Sequence, residues 1–404
     1  MKKGWEEIKM VDACEILTCG VASTPTYVDK QIGIPFLSAQ NVRDGEVVLE
    51  KYSFISKEFH QKLTSKNKPS KGDILYSRVG AKYGEAGVVE HSFEFSVYVS
   101  VTLIRPKREL LNNYFLKYYL NSPRIKDLAK KSISSSGVPN LNVNSVRDFL
   151  VPIPPLTEQQ RIVSILDEAF AKIEKAKFNA EQNLKNAKEL FESYLQGVFE
   201  NKGVDWEEKT LGEIADVEYG FTDKSTEEGD FRYIRITDID KNGELILEDK
   251  KYINHSIEAE GFLIRDNDLL MARTGATFAK VLLYTGDEPS VFASYLIRIK
   301  FNEKIENALY WYFTKTKYYW KQANSLQSGA AQPHFNGAAV KQVIFSYPKS
   351  AKEQKVLIEK FETISLETKK LEANYQQKIN DLEELQKSVL QKAFSGELKT
   401  VEVI

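Results

Sequence analysis

The 404-residue chain is short of cysteine, of histidine and of long apolar runs, and each shortage closes a class of function. Cys14 and Cys19 are the whole thiol inventory, too few for a disulfide framework, so a reducing cytoplasm is the expected compartment. The four histidines, His60, His91, His255 and His334, lie far apart, and none stands at metal-ligand spacing from a cysteine or another histidine. No apolar stretch approaches the ~18–20 residues of a membrane helix, and the opening residues lack the charged and apolar regions of a secretory signal. Catalytic signatures are missing too. There is no Gly-x-x-x-x-Gly-Lys-Ser/Thr phosphate cradle and no strand followed by Gly-x-Gly-x-x-Gly. Neither Asn-Pro-Pro-Tyr nor Asp-Pro-Pro-Tyr occurs, as an amino-methyltransferase would require. Acids such as Asp268 and Glu288 form no nuclease cluster, and no Ser-His-Asp or Cys-His arrangement is indicated.

What is present is an ordinary globular composition, 42% hydrophobic and 28% charged, with a formal net charge of −1. That balance hides an asymmetry. Residues 1–150 carry 22 Lys/Arg against 16 Asp/Glu, a net of +6, whereas residues 201–345 carry 18 against 23. The basic block suits a polyanionic partner, and the acidic block forbids reading one from bulk charge.

The stronger signal is repetition with a period near 195. Trp5-Glu6-Glu7 returns as Trp206-Glu207-Glu208, each opening a segment that ends in glycine, Gly20 or Gly220. Asp73-Ile-Leu-Tyr-Ser-Arg78-Val-Gly80 returns as Asp268-Leu-Leu-Met-Ala-Arg273-Thr-Gly275. Ser136-Gly137, with Pro139 and Asn142 after it, returns as Ser328-Gly329 with Pro333 and Asn336. Glu158-Gln159 returns as Glu353-Gln354, and the segment Ser193–Phe199 as Ser388–Phe394. Five matches in one order imply a duplication, and two copies are too few for a solenoid.

Each copy begins with mixed α/β sequence. Phe93, Phe95, Val97, Val99, Val101 and Leu103 alternate with mostly polar or small residues, which predicts a strand, with a counterpart from Val291 to Ile299. Aromatic-rich helices are predicted over Tyr114–Leu120 and Leu309–Phe313, with core packing as the plain use of their rings. Each copy then continues as a long helix. Pro154-Pro155 ends the extended chain, and Thr157 stands at capping-box spacing from Gln160, as Ser350 does from Glu353. Apolar or small residues follow in steps of 4 and 3 from Ile162 to Val198 and from Leu357 to Ala393. One 4,4 step interrupts each series, across Ala176–Ala180–Leu184 and across Leu371–Tyr375–Ile379. Thr368 and Gln386 are polar exceptions on the second seam.

A stutter matched between two helices suits two strands of one coiled coil, each about 40 residues and roughly 60 Å long. Antiparallel pairing is expected, because parallel helices would oblige the second domain to carry the chain back the length of the rod. The expected fold is therefore α+β: two mixed α/β domains joined by two long antiparallel coiled-coil helices in a pseudo-twofold dumbbell. The expected boundaries are residues 1–153 and 203–347 for the domains, and 154–202 and 348–396 for the helices.

Without a reacting constellation, recognition is the remaining function. Arg78 and Arg273 follow apolar strands at the entrance to Gly-containing loops, and arginine reads guanine and clamps phosphate. A repeated arginine can equally be a structural hydrogen-bond hub. Lys82 and Tyr83 share the first loop, and Thr274 and Lys280 the second. The segment containing Gln40, Asn41 and Arg43 aligns with Arg235 and Thr237, and Gln and Asn are adenine readers by geometry as well as common turn residues.

At this point the chain resembles the specificity subunit of a type I restriction-modification enzyme. The segment Pro152-Ile-Pro-Pro155-Leu-Thr-Glu158-Gln159-Gln-Arg161-Ile-Val-Ser-Ile-Leu-Asp167 is very similar to the opening of that family's spacer helix. The repeated Trp-Glu start, the Arg-Gly loops, Gln332-Pro333-His334 and the closing Phe394-Ser395-Gly396-Glu397-Leu398 match as well. Two departures are Ser350-Ala-Lys-Glu-Gln at the second helix and Val138-Pro139-Asn140 in place of Gln-Pro-His. The resemblance implies a non-catalytic DNA-reading subunit with two target recognition domains that bind a bipartite site on double-stranded DNA. It further implies two modification (methyltransferase) subunits that use S-adenosylmethionine on adenine, and motor-nuclease restriction subunits that use ATP and Mg²⁺. Those cofactors would belong to the partners. A coiled-coil protein–protein adaptor and a self-sufficient DNA-modifying enzyme are the alternatives.

Overall fold

A computed structural model describes residues 5–21, 25–133, 138–328 and 334–398, within which two compact units divide the chain. One unit holds residues 1–180 and 377–404, the other residues 181–376, so both divisions fall inside the long helices. Ser136, Gly137, Gly329, Gln332 and Pro333, which contribute to the repeat or to the family resemblance, lie outside the described residues.

In the first unit, Glu6–Lys9 pairs antiparallel with Leu150–Ile153 and brings the two ends of the head together. A four-stranded antiparallel sheet runs in the order Cys14–Cys19, Val101–Pro106, Ile74–Ser77, Ala86–Val88. A smaller sheet sets Ile34–Leu37 between Ser53–Ile55, antiparallel, and Ser96–Val97, parallel. The second unit repeats the plan. Trp206–Thr210 pairs with Ile344–Pro348, and the four-stranded sheet runs Ala215–Tyr219, Leu296–Phe301, Leu269–Ala272, Val281–Leu283. Its smaller sheet sets Phe231–Ile234 between Tyr252–Ile253 and Ser290–Phe292.

The single strand expected over residues 93–103 is two. Ser96–Val97 belongs to the small sheet and Val101–Pro106 to the large one, with a turn between them in which Val101 N donates to Tyr98 O. The alternation survives because Phe95, Val97, Val101 and Leu103 all face one buried cluster shared by the two sheets. A common core, not a common strand, sets the period. Gly20 and Gly220 end the strands beside these turns, where a Cβ would lie 2.1 Å from Val97 O and 2.3 Å from Ala293 O. Only glycine lets the backbones pass so closely.

The aromatic helices are Asn113–Leu120 and Asn307–Phe313. Phe115, Tyr119, Tyr310 and Phe313 are fully buried in the two head cores, so their rings serve packing. The long helices are Leu156–Glu200 and Ala351–Ser395, 45 residues each. The first begins two residues earlier than its capping box suggested, since Pro155 O accepts from Glu158 N and Gln159 N. In the second, Ser350 Oγ accepts from Glu353 N at 3.4 Å, as expected.

Within the first unit the helices run antiparallel. Arg161 Nη2 donates to Leu398 O at 3.4 Å, and sixteen residues further on Lys177 pairs with Glu383 at 2.5 Å. Ile162, Leu166, Leu390, Ala393 and Phe394 enter the head core there. Within the second unit, Phe361 meets Tyr194 at 6.1 Å and Phe199 at 6.0 Å between ring centroids, in a core closed by Leu195. The seam departs from its pattern at Leu371, which is 39% exposed. Thr368 is buried on it nonetheless, because its hydroxyl donates back to Ile364 O and Ser365 O. Among the described residues no helix is long and apolar enough to cross a membrane.

Candidate nucleic-acid interface

The two loops singled out in each copy fold against each other. In the first head a short turn, Ala39–Asn41, precedes the hairpin in which Val42 opposes Val47. Ser100 ties this turn to the arginine loop: its hydroxyl accepts from Ala39 N at 3.0 Å and its carbonyl from Arg78 N at 2.9 Å. Asn41 is buried, its Oδ1 accepting from Ser38 N and its Nδ2 donating to Val48 O and Lys51 O. It holds the hairpin and cannot read a base. Arg78 is likewise spent inside. At 8% exposure it donates to Leu141 O (2.8 Å), Val99 O (2.8 Å) and Asn140 Oδ1 (3.1 Å), joining the loop to the segment after residue 138. The hub use of this arginine is the one built. Gln40 and Lys82 are exposed, Lys82 Nζ standing 3.7 Å from Asp44 Oδ1. Arg43 pairs at the surface with Glu50, and Tyr83 is half-buried against the head core.

In the second head the turn Ile236–Asp238 takes the place of Ala39–Asn41. Asp238 does the work of Asn41: it is buried and accepts from Arg235 N at 2.8 Å and Arg235 Nη2 at 2.7 Å. That hydrogen bond holds the Arg235 guanidinium above its ordinary pKa, outweighing burial. Thr237 is exposed at the crest. Thr274 is buried and bridges to His334, so its side chain is not presented. Arg273, half-buried, donates to Ser294 O at 3.3 Å and lies 4.8 Å over the ring of Tyr219. Lys280 is half-buried at the end of the same loop. Gly84 and its counterpart Ala279 both take left-handed backbone there, φ +82° and +59°. Ala279 keeps the turn without glycine, with Tyr319 Oη donating to its carbonyl at 2.6 Å.

Two exposed residues of this cluster carry no motif. Tyr295, 58% exposed, occupies the position of buried Ser100, and Tyr219, 42% exposed, ends its strand beneath Arg273. The signal that could have found them is an aromatic in one copy where the other has a small residue, Tyr295 against Ser100 and Tyr219 against Cys19. Each cluster thus presents amide, hydroxyl, ammonium or guanidinium groups on loops held by buried hydrogen bonds, the groups that base edges and phosphates accept. Among the described residues no group of three or more His, Cys, Asp or Glu could hold a metal ion.

The type I restriction modification DNA specificity domain matches the chain twice, over residues 2–184 and 203–381. The chain belongs to this family. Relatives include the MjaVIII specificity subunit of Methanocaldococcus jannaschii, 22% identical across 98% of this chain and 93% of its own length. The putative MjaX specificity subunit of the same organism is 25% identical over 218 residues, so the match spans 52% of this chain and about half, 49%, of that relative. A chain from a solved structure on complex assembly and conformational transition of the type I R-M system superimposes with a TM-score of 0.78. It covers 98% of this chain and 99% of that one at 17% identity, a likeness of fold.

The duplicated specificity domain also explains a pair of glutamines that the sequence marked only as a repeat. Gln159 and Gln354 are fully buried and make the same three bonds. Gln159 Oε1 accepts from Asn112 N (2.7 Å), and its Nε2 donates to Leu110 O (2.9 Å) and Pro154 O (2.8 Å). Gln354 Oε1 accepts from Glu306 N (2.8 Å), and its Nε2 donates to Lys304 O (3.2 Å) and Pro348 O (2.8 Å). Each locks the start of a long helix to the loop before its head's aromatic helix.

Proposed function

We propose that the chain is the sequence-reading subunit of a type I restriction-modification complex and performs no catalysis itself. The first head reads one half of a bipartite duplex target and the second head the other, through the two loop clusters. The long helices dock two modification subunits, which bring S-adenosylmethionine to adenine, and motor-nuclease subunits join with ATP and Mg²⁺, all in the cytoplasm. Gln40, Arg43, Lys82 and Tyr83 in the first head, and Arg235, Thr237, Arg273 and Lys280 in the second, are the proposed DNA-facing set. Arg78, Asn41 and Thr274 act behind them as supports. The carrying observation is that equivalent loop frames, each fixed by a buried Asn or Asp and a repeated arginine, present different surface side chains in the two heads. Such frames suit the reading of two unlike half-sites separated by unread base pairs.

The test is to express the chain with a modification subunit in a methylation-free host and map adenine methylation across the genome. A motif of two defined halves around an undefined gap is expected, and it should vanish when this chain is omitted. Methylation that persists without the chain, or a single uninterrupted motif, would refute the reading.

A further inference from the structure

The hairpin after the Ile236–Asp238 turn in the second head is fastened at its tip from two sides. Ile239 opposes Leu245 in it, and Asp240 Oδ1 caps the tip by accepting from Asn242 N (2.8 Å) and Glu244 N (2.7 Å). Trp311 Nε1 donates to Gly243 O at 3.1 Å. Lys315, one turn further along and half-buried, donates from Nζ to Asn242 O at 2.5 Å and stands 3.7 Å over the Trp311 ring. Lys369, on the second long helix, pairs with Glu244 at 2.8 Å. A cation held by a carbonyl and a ring face on one side, and an ion pair on the other, clamp the tip between head and helix.

We propose that Lys315 is a positioning residue for DNA reading by the second head: its amine fixes the hairpin that follows Arg235 and Thr237. The inference rests on the reading of that head as a DNA reader. The charged groups facing the clamp are Asp240 and Glu244 on the hairpin and Lys369 on the second long helix. Glu189, Glu192 and Glu200 of the first long helix line a pocket with Lys315 and Lys317. Burial is the largest influence on the Lys315 amine and lowers its pKa from 10.5 to about 8, against the pull of Glu244 and Asp240. Between those values the unfolded chain binds the more protons, so this group makes folding stability rise with pH. The same linkage means that losing the proton does not loosen the clamp, since the neutral amine still donates to Asn242 O. Rescue by a second long donor at this position separates positioning from simple structural support.

The measurement uses the complex reassembled with modification subunits and two duplexes: the mapped target, and the same target with the second head's half-site scrambled. The ratio of the two Kd values reports what the second head contributes. Lys315→Met, which removes the donor, is expected to lower that ratio ~10-fold at pH 7, and Lys315→Arg to keep it near the wild-type value. Scrambling the first half-site, which should still weaken the Met variant fully, checks that the variant complex is folded. A Met variant equal to wild type at pH 7, or an Arg variant as low as the Met variant, overturns the proposal. If scrambling the second half-site costs the wild type nothing at pH 7, the second head is not a DNA reader, and the broader reading falls with it.

Discussion

Single side chains divide into those that face outward and those that hold the loops. The sequence placed Arg78 and Asn41 among the readers because their chemistry suits bases, and chemistry alone does not reveal burial. What decided their use was three acceptors from distant segments, visible only once Val99, Asn140 and Leu141 surround the guanidinium. Arg78→Ala should therefore lower folding stability by about 2–3 kcal/mol, since charged buried hydrogen bonds are lost. Lys82→Ala should leave the thermal midpoint unchanged and weaken DNA binding by about 1 kcal/mol, with a shallower salt dependence. Calorimetry and salt-series titration of the two variants distinguish the roles. The buried glutamines were legible only as a repeated dipeptide. Replacing Gln159 with Leu strands Asn112 N, Leu110 O and Pro154 O. It is expected to cost about 2–4 kcal/mol in a denaturant titration, and Gln354→Leu a similar amount.

At the scale of elements, periodicity served well where one core imposed it over a long stretch. Both 45-residue helices were legible from their 4,3 spacing. It misled over residues 93–103, where two strands turn the same alternation toward one cluster. Loop burial escaped it altogether, because the bonds that bury Arg78 go to partners far away in sequence. The helices also carry a functional expectation. Inserting four residues beside Ala180 adds ~6 Å of rise and rotates the helix ~40° past a full turn. The unread gap of the methylated motif should then lengthen by about one or two base pairs, both half-sites staying the same, with some loss of stability from the mismatched partner helix. An unchanged gap in an active variant would show that helix length does not set the spacing.

For the whole molecule, duplication is the property from which the rest follows. The repeat of Arg78 by Arg273, of Gln159 by Gln354 and of Gly20 by Gly220 builds two frames of one design. Their exposed residues differ: Tyr295 stands exposed where the first head has buried Ser100, and Thr237 where it has Gln40. Frames of one design with unlike surfaces should be exchangeable readers, and the duplication behind that expectation was legible in the sequence. The direct measurement is to replace residues 1–153 with the matching domain of a relative of known target, reassemble the complex, and map adenine methylation across a genome. One half of the motif should change to the relative's half-site, with the other half and the gap kept. A change in both halves would contradict the account of two independent heads.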